Sequence, residues 1–184
     1  AGEADAGARV LEAARLGATR IGHGVRLVDL LGAAGHESVL DELHTRGVHL
    51  EVCPTSNVHT GAATSIATHP ITTLWRAGVS LSFHTDNRLM SGVTMSSEAL
   101  AQVCDAGFAV VDLIEMQRQA AAHSFLGAAE RAAASERIDA WACAHGFVAQ
   151  RKLPAAAADR TVAPALDGLE AVVGAGHVGA ARRA

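Results

Sequence analysis

Gly47-Val-His-Leu-Glu-Val-Cys-Pro-Thr-Ser-Asn57 is the stretch whose reading decides the fold. His49 to Cys53 (His-Leu-Glu-Val-Cys) stands behind a helix-closing glycine, and a proline and three turn-forming side chains follow it. It reads as a strand that opens into a polar loop from Pro54 to Thr64. Upstream lies a helix around Ser38 to Thr45, and before it a short strand, Thr19 to Gly22, that ends in Arg20-Ile-Gly-His-Gly24. An opening helix, Ala4 to Leu16, carries Ala6, Val10, Ala13, Ala14 and Leu16 at helical spacing and stops at Gly17. Downstream, a helix around Ile71 to Ala77 closes at Gly78, and Val79 to Thr85 is a third strand. Strand centres about thirty residues apart leave room for a crossover helix each time, which predicts parallel pairing in an α/β fold.

After Asp86 the pattern is helical only, over roughly Ser97 to Ala106, Val111 to His123 and Ala128 to His145. Residues 1–145 therefore read as the folded part. Residues 146–184, with Pro154, Ala155 to Ala158, Pro164 and scattered glycines, read as a low-complexity tail without a fold. Gly174-Ala-Gly-His-Val-Gly179 matches the dinucleotide fingerprint as a string. That motif works through a following helix whose N-terminus holds the pyrophosphate, and only Ala180 to Ala184 follow it here.

The chain has 184 residues, enough for one ordinary domain or a piece of a larger one. It is 49% hydrophobic and 18% charged, with a mean hydropathy of +0.20, the composition of a core-former. Fifteen Lys and Arg against nineteen Asp and Glu give a net charge of −4, which argues against nucleic acid or an anionic membrane as partner. No apolar run reaches the length of a membrane span, and the N-terminus carries no signal-peptide pattern. The three cysteines, Cys53, Cys104 and Cys143, are odd in number and widely spaced, so a reducing, cytoplasmic setting is expected.

Side chains able to do chemistry stand just after each strand: His23 after the first, Thr55 to Asn57 after the second, Asp86 and Asn87 after the third. The C-terminal strand ends are where parallel α/β folds build active sites. Ala1-Gly-Glu3, Arg20-Ile-Gly-His-Gly-Val25, Glu51-Val-Cys-Pro-Thr-Ser-Asn57 and His84-Thr-Asp-Asn-Arg-Leu-Met-Ser-Gly92, in this order and spacing, resemble the adenosine deaminase family of zinc-dependent barrel hydrolases. The last segment is most similar to actinobacterial members. The resemblance implies that residues 1–145 are the C-terminal half of a (β/α)₈ TIM barrel, with about three of its parallel strands, followed by C-terminal helices and the tail.

It further implies hydrolytic deamination of adenosine and 2′-deoxyadenosine, with release of ammonia, in purine salvage. Zinc lowers the pKa of water enough to supply hydroxide at neutral pH. Of the zinc ligands, only Asp86 lies in this chain by the resemblance. Three histidines lie outside it, one of them immediately before Ala1. Glu3 resembles the acid that protonates the purine ring, and His23 the residue that takes a proton from the attacking water and steadies it. Asn87 stands where many members carry a second aspartate. Its NH₂ can donate to the purine at every pH, so a purine nucleoside substrate stays in keeping. Related aminohydrolases, of aminofutalosine or adenylate type, are the alternative within the family, and a non-catalytic remnant is the alternative outside it.

Other residues read more plainly. His84 departs from the family's usual Asn and is read as a barrel-interior histidine bonded to its neighbours. Thr55, Ser56 and Asn57 are read as turn formers with a supporting contact behind the site, Cys53 as a buried small residue, and Met90 and Met95 as packing in a loop over the mouth. The expected partner is the N-terminal half of the barrel, without which the chain should be inactive.

Overall fold

The structure is a computed structural model that describes residues 1–32 and 36–147. Residues 148–184 of the expected tail, with the Gly174 to Gly179 string, lie outside the described residues. Helix α1 (Ala8–Arg15) leads to strand β1 (Arg20–Gly22), then a 3-10 turn (Val25–Leu27), α2 (Val28–Leu31) and α3 (His36–Thr45). Strand β2 (His49–Val52) is followed by α4 (Pro54–His59) and α5 (Ile71–Arg76), and β3 (Leu81–Phe83) by α6 (Arg88–Ser91), α7 (Met95–Cys104), α8 (Val110–Ala122) and α9 (Ala128–Ala144). The strands form one parallel sheet in the order β1-β2-β3, with Gly22 beside Glu51 and Glu51 beside Ser82.

Alternation along the strands divides the sheet into two chemically distinct faces. Ile21, Leu50, Val52, Leu81 and Phe83 are buried on one face, in a single core with Val10, Leu27, Leu43, Ile71, Leu74 and Met116 from the surrounding helices and turns. The opposite face is polar and internally bonded. Arg20 pairs with Glu51, and the His49 ring bonds Ser80 Oγ (2.9 Å) and Ser82 Oγ (2.8 Å). Segments after α8 cover this face, His123 stacking on His49 at 4.6 Å and the Phe125 ring lying under Arg20 at 4.4 Å.

Two elements differ from the sequence expectation. The first helix begins at Ala8, not Ala4. Residues before it are bound across the chain, with Gly24 and Arg26 N–H donating to the carbonyls of Ala1 and Gly2 at 3.1 and 2.9 Å. Gly7 is pressed so closely on this turn that a Cβ would lie 2.3 Å from the Arg26 carbonyl oxygen. The expected loop from Pro54 opens instead as helix α4. Proline suits a first helical position, and the Ser56 and Asn57 side chains bond distant partners rather than competing for local backbone.

Burial lowers the proton affinity of three imidazoles, His49, His69 and His84. His49 is depressed to about 3, chiefly by desolvation and then by His123, His84 and Arg20, and His69 to about 4 by desolvation. Both bind protons more weakly folded than unfolded, so their stabilisation is fully present above about pH 6.5 and is lost as pH falls toward the folded values. Buried Glu98, whose carboxyl desolvation pushes up, opposes this above its ordinary value. Between pH 6.5 and 5 the full-length protein should lose on the order of 1.4 kcal/mol per pH unit for each histidine. Urea midpoints across that range check this, and a flat profile would contradict the burial of the rings.

Candidate active site

Glu3 precedes α1, His23 follows β1, Cys53 to Asn57 follow β2, and Asp86 follows β3, so the cluster stands at the C-terminal end of the sheet. His23 (φ 62°) and Asp86 (φ 54°) are the described non-glycine residues in the left-handed backbone region. That conformation costs energy away from glycine, and here it falls on two side chains that meet.

His23 Nε2 lies 3.6 Å from Glu3 Oε2 and 3.9 Å from Asp86 Oδ2. Ser56 Oγ donates to Asp86 Oδ2 at 2.8 Å. Asn57 Nδ2 donates to Glu3 Oε1 at 2.9 Å and, through its other hydrogen, to His23 Nδ1 at 3.1 Å. With Nδ1 accepting, the ring N–H is at Nε2, facing the two carboxylates. A cleft of about 160 Å³ beside Glu3 is lined by Ala4, Arg26, Thr60, Gly61 and Ala62.

One donor atom each from His23, Cys53 and Asp86 lies within 4.8 Å of the other two, an N, S, O set of the kind that zinc accepts. Their standing differs. The Cys53 thiol is pushed up to about 12 by burial and then by Asp86, Glu98, Glu3 and Glu51, so it keeps its proton, 3.6 Å from the Glu51 carbonyl. The Asp86 side chain is 42% exposed, so its carboxylate is open to a cation.

The structure thus brings together Glu3, His23 and Asp86 of the four sequence candidates. Asn87 caps the short helix α6, its Oδ1 accepting from Met90 N–H at 3.2 Å, and its amide nitrogen is left for another acceptor. His84 bonds Ser82 at 2.7 Å and lies outside the donor group. Met90 is 78% exposed and Met95 42% exposed, so neither is the packed residue expected. The contact behind the site expected of Thr55 to Asn57 is made by Ser56 and Asn57, while sequence reading missed the reach of Thr60 into the cluster. The one local signal was their spacing after a proline, which suits a helix as well as a turn.

A family model described as adenosine deaminase matches residues 1–141. An adenosine deaminase of Mycobacterium sp. strain JLS is 43% identical over 122 residues, covering 64% of this chain and 34% of that protein. One from Enterococcus faecalis is 34% identical over 139 residues, 76% of this chain and 40% of its own length. The chain therefore spans about a third to two fifths of the length of these curated relatives. Among solved structures, the adenine deaminase from Arthrobacter aurescens superposes with a TM-score of 0.69 at 25% identity over 78% of this chain and 42% of its own. Arabidopsis ADAL complexed with IMP superposes at 0.64 with 20% identity over 78% of this chain and 40% of its own, a likeness of fold alone. With this likeness, the three strands are the C-terminal part of a (β/α)₈ barrel, followed by helices.

Proposed function

Because the chain belongs to the adenosine deaminase family, we propose that it carries part of the active site of a zinc-dependent hydrolase that converts adenosine and 2′-deoxyadenosine to the corresponding inosine and ammonia. The observation that carries the reading is the convergence of Glu3, His23 and Asp86, from three separate segments, on the C-terminal end of a parallel sheet. Asp86 would be a ligand of the zinc ion, with further ligands from outside these 184 residues, and the ion would supply Lewis acidity at neutral pH.

Water adds to the ring carbon that bears the amine, and the neighbouring ring nitrogen must take a proton as aromaticity is lost. Glu3 gives that proton. His23 faces the same space through Nε2, where its hydrogen bonds favour steadying the attacking oxygen by donation. Of the two protons of the water, one restores the Glu3 acid and the other leaves with the amine, which the tetrahedral carbon expels as ammonia while the carbonyl forms. Asn87 holds the base through its NH₂.

The test is ammonia release by the full-length, zinc-loaded enzyme on adenosine, 2′-deoxyadenosine, adenine and AMP. Turnover confined to adenine or AMP would replace the substrate proposed here with that of a related aminohydrolase. Asn87→Ala should weaken purine nucleoside binding roughly ten-fold, the loss of one hydrogen bond. Asn87→Asp should make binding fall as pH rises, since only its protonated form donates. Calorimetric titration with inosine between pH 5 and 8 checks both, and unchanged affinity in both variants would remove Asn87 from the site.

The proposed partner is the remainder of the barrel, because β1 and β3 each leave one edge without a described neighbour. No helix among the described residues is long and apolar enough to cross a membrane. The three cysteines are unpaired, which supports a reducing, cytoplasmic compartment as the proposed location.

A further inference from the structure

Glu3 is held by two residues to which the chemistry above gives no part. Its Oε1 accepts from Asn57 Nδ2 at 2.9 Å and from Thr60 Oγ1 at 2.9 Å, while Oε2 has His23 Nε2 at 3.6 Å, beyond hydrogen-bond length. We infer that Asn57 and Thr60 are positioning residues that occupy Oε1 and so make Oε2 the oxygen that exchanges a proton with the substrate, an inference that rests on the deaminase reading.

The donors have little freedom to do anything else. Thr60 has one hydroxyl hydrogen, and the Glu3 oxygen is nearer than its other acceptor, the Asn57 carbonyl at 3.4 Å. Asn57 is fully buried, and reversing its amide would set Oδ1 against Glu3 Oε1 and withdraw the hydrogen that His23 Nδ1 accepts. Its own Oδ1 has no partner among the described residues, so the side chain is oriented for its NH₂ at the expense of its carbonyl. With Oε1 receiving two hydrogens, a proton carried by the carboxyl has its place on Oε2, which faces His23.

Helix α4 supplies the rigidity. Asn57 and Thr60 stand three positions apart and so share one side of the helix end. The Asn57 N–H closes the first turn onto the Cys53 carbonyl at 2.8 Å, and the Thr60 N–H bonds the Ser56 carbonyl at 2.9 Å. Buried Glu98 on α7 accepts from the Thr55 N–H at 3.0 Å, fixing the start of α4 to a second helix. Glu3 sits in a bend outside any helix or strand, so α4 provides what its own segment lacks. A reacting group displaced by even a fraction of a bond length loses much of its advantage.

Thr60 is exposed and can be altered with little risk to folding. In the full-length, zinc-loaded enzyme, Thr60→Val keeps the shape and removes the donor, while Thr60→Ser keeps the donor. The expected result for Thr60→Val is a fall in kcat of roughly ten-fold with KM and the Kd for inosine within about two-fold of wild type, and recovery of most of kcat in Thr60→Ser. Asn57→Ala, measured the same way, should fall further because it releases both Glu3 and His23. Wild-type kcat in Thr60→Val, or an equal loss in Thr60→Val and Thr60→Ser, overturns the inference while wild-type turnover leaves the deaminase reading standing. A wild type that releases no ammonia from any of the aminopurines overturns that reading, and this inference with it.

Discussion

Glu3→Gln in the full-length enzyme is expected to lower turnover on adenosine by roughly 10² to 10⁴, the range of a lost general acid. The substitution is nearly a pure chemical test, because a glutamine carbonyl oxygen can go on accepting from Asn57 and Thr60 where Oε1 does now. Its NH₂ then stands in the place of Oε2. Shape, tether and direction are retained, and only the transferable proton is gone. Metal content should not change, since Glu3 is outside the His23, Cys53 and Asp86 donor group. Ammonia release, with elemental analysis on the same samples, reads both quantities. Near-normal turnover would place the acid elsewhere, and lost metal would mean that Glu3 supports the ligand set.

The 184 residues by themselves are expected to be zinc-free and silent on adenosine. Zinc sites take three or four protein ligands, and here one carboxylate is ready while the neighbouring thiol is held protonated at about 12. Among the described residues the sheet has three strands where a closed barrel has eight, which leaves two edges without a described neighbour. Leu89 and Met90, beside the candidate site, are 89% and 78% exposed, and Phe125 is 84% exposed. Poor solubility or self-association is therefore expected of the isolated chain. Co-expression with the preceding part of the barrel, including the histidine expected before Ala1, should recover ammonia release. Stoichiometric zinc together with turnover in the isolated chain would mean a ligand set different from the one proposed here.

What the amino-acid sequence determined by itself was the alternation of three strands with helices, the helical run after Asp86, and the placing of His23 and Asp86 just beyond strand ends. Each follows from local pattern: apolar spacing, a glycine or proline at a boundary, and the order of the chain. The departures lie where distant contacts outweigh local preference. Thr-Ser-Asn after Pro54 has the side chains of a turn, yet it folds as α4 because those groups are engaged across the site, Ser56 by Asp86 and Asn57 by Glu3. Glu3 stays out of the first helix because its segment is bonded to the turn at Gly24 to Leu27, some twenty residues on. The partnership of Thr60 with Glu3 spans 57 positions, and no periodicity records a separation of that size. The left-handed backbone of His23 and Asp86 is likewise a product of assembly. Residue type permits it, but only surrounding structure that over-determines the conformation keeps a side chain there and turns two separate polar residues toward one another.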